Sequence, residues 1–66
     1  MKNNLKVHRA IHNFTQDDLA KEVGVSRQTI NAIEKGKYNP SLFVALKIAQ
    51  SVNASVESIF ELEENT

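Results

Sequence analysis

The sequence predicts an all-α fold, five short helices packed crosswise into one small domain, and three observations predict it. The only glycine and proline residues, Gly24, Gly36 and Pro40, mark boundaries between stretches of good helix formers. Within those stretches the apolar residues recur at helical spacing, three or four apart, with no run of alternation long enough for a sheet. Most stretches also open on a Ser, Thr or Asn placed to cap a helix. A chain of 66 residues buries only roughly 60% of its unfolded surface, so its core has to be economical. Cysteine is absent, which removes disulfides and thiolate zinc sites as sources of stability. Apolar packing, helix caps and a second subunit remain.

Taken in order, a first helix is expected from about Asn4 to His12, with Asn13 able to take the left-handed conformation that ends helices. Thr15 caps a second, and Asp18 stands three residues on, as in a capping box. Asp17 and Asp18 also suit the positive end of the helix dipole. This helix carries Leu19, Ala20 and Val23 and breaks at Gly24. Ser26 caps a third, which carries Ile30 and Ile33 and ends near Lys35 and Gly36. Asn39 and Pro40 open a fourth, as cap and first helical residue. Leu42, Ala45, Leu46, Ala49 and Val52 then form one apolar stripe. Ser55 caps a short fifth helix with Val56, Ile59 and Phe60. The alternating tail Glu61-Leu62-Glu63 allows a short terminal β-ribbon with the N-terminus. One domain spanning 1–66 is expected, with its functional motif at about 16–35.

No apolar run approaches the ~20 residues that cross a bilayer, and Met1 to Lys6 lack the apolar stretch of a signal peptide. The expectation is a soluble, cytoplasmic protein. Formal net charge is zero, but the charge is segregated. Up to Lys47 there are eight basic and four acidic residues, a net of +4. Beyond it Glu57, Glu61, Glu63 and Glu64 stand without a basic residue, a net of −4. A basic body with an acidic tail can offer one positive face to phosphates; the same glutamates also simply solvate the chain end.

The segment Gln16 to Lys35, QDDLAKEVGVSRQTINAIEK, carries the functional signal. Small Ala20 lets the next helix cross closely, Gly24 supplies the turn, and Val25 plugs the angle between the two helices. Ile30 and Ile33 seat the second helix of the pair on the core. Such a pair fixes its helices at roughly 90–120° and leaves the outer face of the second free for a DNA major groove. Ser26, Arg27, Gln28, Thr29 and Asn31 lie on or near the N-terminal end of that face. Arg27 has the fork to bond O6 and N7 of guanine, and Gln28 the amide to bond N6 and N7 of adenine. Thr29 offers a methyl to thymine or a hydroxyl to phosphate.

These residues, with the run SRQTINAIEKGKYNPS, resemble the phage-repressor/Cro type of helix-turn-helix regulators, the XRE family, and especially its short bacterial members. The resemblance extends from about Leu5 to Phe60 and implies a five-helix, λ-repressor-like DNA-binding domain. It implies that Gln16 clamps a phosphate. It also implies that Lys35, Lys37, Tyr38 and Asn39 follow the DNA backbone, and that Arg9 and Glu34 form a structural ion pair. Ala32 stands where some phage repressors carry a base-reading glutamine, so fewer bases are read there. His8 departs from the Leu or Ile usual at its position, and Val7 and Ile11 form a second apolar pair on the first helix.

One such reading head touches little DNA, so a homodimer on a near-palindromic operator is expected, its half-sites about 34 Å or a multiple apart. Asn39, Pro40, Val56, Ile59 and Leu62 are the expected dimer contacts, and promoter occlusion by a repressor the expected mechanism. The alternative is an antitoxin or protein-interaction module of the same fold, with Val7 and Ile11 as its contact. No catalytic residue, metal site or cofactor is expected. Adjacent Asp17 and Asp18 point in different directions on a helix and both suit its start. His8 and His12 share a face at i and i+4, but no third ligand or HExxH pattern accompanies them.

Overall fold

The computed structural model describes residues 1–63; Glu64 of the acidic tail lies outside the described residues. The order is β1 (Lys2–Asn3), α1 (Leu5–Ile11), α2 (Gln16–Val23), α3 (Arg27–Glu34), α4 (Leu42–Ser51), α5 (Val56–Ile59) and β2 (Phe60–Glu61). Local chemistry fixes most of the boundaries. Thr15, Ser26, Ser41 and Ser55 hold extended backbone, and each side-chain hydroxyl accepts the N–H three residues on. Each thereby satisfies one of the donors that a helix start leaves unpaired. At α2 the box is reciprocal: Asp18 N–H donates to Thr15 Oγ1 at 3.0 Å and Thr15 N–H to Asp18 Oδ2 at 2.9 Å. Asn13, at φ 58°, turns the chain between α1 and α2. Gly24, at φ 86°, ends α2 in a left-handed turn whose cost any Cβ would raise.

The fourth helix starts later than expected. Its cap is Ser41, which accepts from Val44 N–H at 3.2 Å, and Asn39 and Pro40 lie before it. Its buried row also differs from the expected stripe. Ala45, Ile48, Ala49 and Val52 enter the core, whereas Leu42 and Leu46 stay 73% and 53% exposed. The row 45, 48, 49, 52 keeps the helical period. Two alanines in it let α4 lie close to the rest of the core, so the larger leucines turn outward.

Leu5 of α1, Leu19, Ala20 and Val23 of α2, Ile30 and Ile33 of α3, Ile59 and Phe60 complete the core. Each fully buried Leu or Ile is worth about 1.5–3 kcal/mol. Phe60 leaves α5 and enters β2, so the ribbon begins one residue earlier than the tail alternation suggested. It pairs antiparallel with β1, Lys2 opposite Glu61 and Asn3 opposite Phe60. Asn3 anchors this ribbon to the bundle: its Nδ2 donates to the Ile33 carbonyl at 2.8 Å, and its Oδ1 accepts from Leu5 N–H. The terminal ammonium of Met1 pairs with Glu63 at 3.2 Å. His12 is committed structurally, with Nε2 2.7 Å from the Val52 carbonyl and its ring stacked on Phe14. Among the described residues no helix is long and apolar enough to cross a membrane.

Candidate nucleic-acid interface

The α2–turn–α3 unit positions the candidate interface. Gly24 and Val25 N–H groups both return to the Ala20 carbonyl, at 2.8 and 3.0 Å, which closes the end of α2 and sets the direction of α3. Ala20 is buried beneath that crossing and Val25 packs partly buried against the core. With Ile30 and Ile33 on the inner face, Ser26, Arg27 and Gln28 are left exposed at the start of α3. Neither the Arg27 nor the Gln28 side chain has a hydrogen-bond partner among the described residues. Both polar ends are free to meet a ligand.

The other expected contacts sort into three kinds. Ser26 and Thr29 are occupied with each other: their hydroxyls lie 2.8 Å apart, and Ser26 Oγ also caps Thr29 N–H. Lys35, Lys37, Tyr38 and Asn39 are all exposed on the connection from α3 to α4, so one rim of the face carries two lysines and an aromatic hydroxyl. Gly36, at φ 73°, turns this rim past Met1, whose carbonyl would lie 3.3 Å from an added Cβ.

The third kind is a polar cluster between α1, α2 and α3. Arg9 Nε donates to Glu34 Oε2 at 2.8 Å and Nη2 to Oε1 at 3.3 Å, while Nη1 donates to the Phe14 carbonyl at 2.9 Å. The pair is mostly shielded from solvent and joins the first helix to the end of the third. Gln16 Nε2 donates to Glu34 Oε1 at 3.1 Å and to Asn31 Oδ1 at 3.2 Å. Sequence reasoning anticipated the ion pair but not that Gln16 and Asn31 join it. Those residues are 15 apart in the chain, and only the helix crossing brings them together. Gln16 and Arg27 also line one open depression with Arg9, Asn13 and Thr15.

Of the expected dimer contacts, Asn39 and Leu62 are exposed and Pro40 and Val56 partly buried. Ile59 needs correcting. It is 2% exposed, because α5 is a single turn whose apolar residue faces the core, and it is not available as a surface contact. Phe43 falls off the main apolar stripe of the fourth helix, as its position predicts, and is exposed; the sequence reading missed that Leu42 and Leu46 join it in one patch on α4, with Lys47 Nζ 6.0 Å from the Phe43 ring centre. Their mutual spacing of one, three and four could have identified a second apolar face.

A crossed helix pair seated on an apolar core, with an outward polar start to its second helix, defines the helix-turn-helix class of DNA-binding domain. The chain belongs to the helix-turn-helix family, whose profile matches residues 5–63, and is a transcriptional regulator of the XRE type. It is 62% identical over 65 residues to an uncharacterized HTH-type transcriptional regulator of Methanocaldococcus jannaschii, covering 98% of each chain. The fold is similar to the restriction-modification controller protein C.AhdI from Aeromonas hydrophila, with TM-score 0.78 and 28% identity over 85% of each chain. It is also similar to the biofilm master regulator SinR in its complex with DNA. There the TM-score is 0.75 at 25% identity, over 82% of this chain and 87% of that one.

Proposed function

We propose that this protein is a cytoplasmic, sequence-specific repressor that binds duplex DNA as a homodimer and acts by occluding a promoter. The observation that carries the reading is the freedom of Arg27 and Gln28. Both are exposed, without internal partners, at the N-terminal end of a helix whose opposite face is locked in the core. In the major groove Arg27 reads guanine and Gln28 reads adenine. Lys35, Lys37, Tyr38 and Asn39 follow the phosphates beside the groove, and the Ser26–Thr29 hydroxyl pair lies against the backbone. Residues 1–66 act as one reading head.

Two heads related by a two-fold axis would read a near-palindrome. Support for the homodimer comes from the exposed apolar face of α4 and from Leu62. Leu42, Phe43, Leu46 and Leu62 are exposed to water in the single chain, and a second copy packed on this face would cover them. Selection of bound sequences from random duplex DNA tests the whole reading, since half-site identity, spacing and symmetry emerge together. A set of recovered duplexes with no shared sequence would refute base reading. A single, unrepeated half-site would refute the dimer.

A second reading, a module that binds another protein as antitoxins do, is favoured by one observation. Val7 and Ile11 are 58% and 66% exposed on α1. Co-purification of a stoichiometric protein partner that is lost on Val7→Ser and Ile11→Ser substitution would support it.

A further inference from the structure

The N-terminal ribbon and the rim after α3 meet in one open depression, lined on the ribbon side by Lys2, Asn3 and Glu63 and on the rim side by Glu34, Lys35 and Gly36. The two sides are held close. An added Cβ on Gly36 would lie 3.3 Å from the Met1 carbonyl, and the Asn3 side chain fastens the ribbon to the last turn of α3 through the Ile33 carbonyl. The charges around the depression do not cancel. Glu34 is matched by Arg9 and Glu63 by the terminal ammonium. Lys2 and Lys35 are exposed, and neither has an ion-pair partner among the described residues. Glu61 stands opposite Lys2 in the ribbon register without closing an ion pair with it. The turn itself has no backbone donor to offer. The N–H groups of Lys35, Gly36 and Lys37 return to the Asn31, Ile33 and Ala32 carbonyls, and both ends of the Asn3 amide are engaged, with Ile33 and Leu5. An anion in this place is therefore left to the two lysine ammonium groups.

We infer that Lys2 and Lys35 together hold one backbone phosphate of the duplex, so that the N-terminal ribbon belongs to the DNA-binding face. The inference rests on the DNA-binding reading and deepens it with a contact from outside the helix-turn-helix unit. Position selects the ligand. The depression lies past the C-terminal end of α3, about 12 Å along the helix axis from Arg27, beside the lysines that follow the phosphates. A duplex seated on the N-terminal end of α3 brings its own sugar-phosphate strand past this point. The two lysines act there as point charges and recognise charge, not base identity. Lys6, which carries the same charge and is equally exposed on α1, does not line the depression.

A double-mutant cycle between side chain and phosphate tests this on a duplex recovered from random-sequence selection. Uncharged methylphosphonates replace one phosphate at a time along each half-site, and every duplex is titrated with the unaltered protein, Lys2→Gln, Lys35→Gln and Lys6→Gln. On the unmodified duplex Lys2→Gln is expected to weaken binding about two- to fivefold, the usual worth of one exposed ion pair, without changing which bases are selected. It should also make the slope of log K against log salt shallower by about 0.9 for each engaged head. At one methylphosphonate position Lys2→Gln should have no further effect, and the same position should cancel the effect of Lys35→Gln. Lys6→Gln should bind as the unaltered protein does. A loss from Lys6→Gln as large as that from Lys2→Gln would show that net charge alone is sensed, and would overturn the contact. So would a Lys2→Gln loss that is equal on every methylphosphonate duplex, or cancellation of the two lysines at different positions. Backbone-amide NMR separates a duplex phosphate from a free anion. The Lys2 amide should shift on addition of duplex and stay in place with inorganic phosphate at the same ionic strength. A shift with inorganic phosphate to which duplex adds nothing overturns the duplex contact. A pool that yields no bound duplex overturns the DNA-binding reading and this contact with it. Sequence-selective binding that ignores Lys2→Gln overturns this contact alone.

Discussion

Thr15 and Asp18 show how much one pair of side chains does for a helix of eight residues. Each satisfies the other's backbone N–H, at a helix start where four such donors would otherwise face water or nothing. Replacing Thr15 with Ala should cost about 1 kcal/mol and lower the melting midpoint by about 4–8 °C for a domain of this size. Circular-dichroism melts would measure it. Asp18 adds a pH dependence. The Thr15 backbone N–H, then the Thr15 side chain, and finally the charge of Lys21 hold its carboxyl below the ordinary value of 3.8. The folded state thus binds this proton less readily than the unfolded state. The contribution is present in full above that ordinary value and is lost as pH falls through the lower, folded value. Asp18→Asn should therefore be less stable than the unaltered protein near neutrality, with the gap closing in strong acid. Melts from about pH 6 to about pH 2 would follow this closure; a gap that stays constant would show that the carboxylate charge contributes nothing.

At the scale of elements, α2 and α3 cross because the buried residue between them is Ala20, and a larger side chain there must push them apart. Ala20→Leu should cost about 1–3 kcal/mol by overpacking and weaken DNA binding further by tilting α3. Retention of both stability and binding would place the crossing elsewhere. The starts of α2, α3 and α5 were legible in the sequence because a cap is local: a hydroxyl needs only the N–H three residues on. The start of α4 was misread for a related reason. Asn39-Pro40 and Ser41 both satisfy the local rule, and the choice of Ser41 is made by how the chain leaves α3. The buried row of α4 was legible in its period but not in its phase. Hydropathy ranks Leu42 and Leu46 above Ala45 and Ala49, whereas close helix packing selects the alanines. The candidate site divides the same way. Exposed Arg27 and Gln28 follow from the pattern around Ile30 and Ile33. The Gln16–Asn31 bond depends on two helices meeting, and no spacing rule along the chain reports it.

At the scale of the whole molecule, the zero net charge conceals the property that matters for association. Lys35 and Lys37 sit on the rim of the proposed DNA face, while Glu61 and Glu63 lie at the ribbon, where Glu63 meets the terminal ammonium. Each cation that neutralises a phosphate releases condensed counterions and adds about −0.9 to the slope of log K against log salt. Lys37→Gln removes one such cation per chain. For a homodimer with both heads engaged, the slope should become shallower by about 2, and for a single head by about 1. The same titration on Leu46→Glu, which puts a charge into the exposed apolar face of α4, connects the two proposals. If α4 holds the dimer, this variant should bind a full operator with the slope of one head, and Lys37→Gln in its background should change that slope by about 1 only. A change of about 2 in both backgrounds would keep the dimer and remove α4 from its interface.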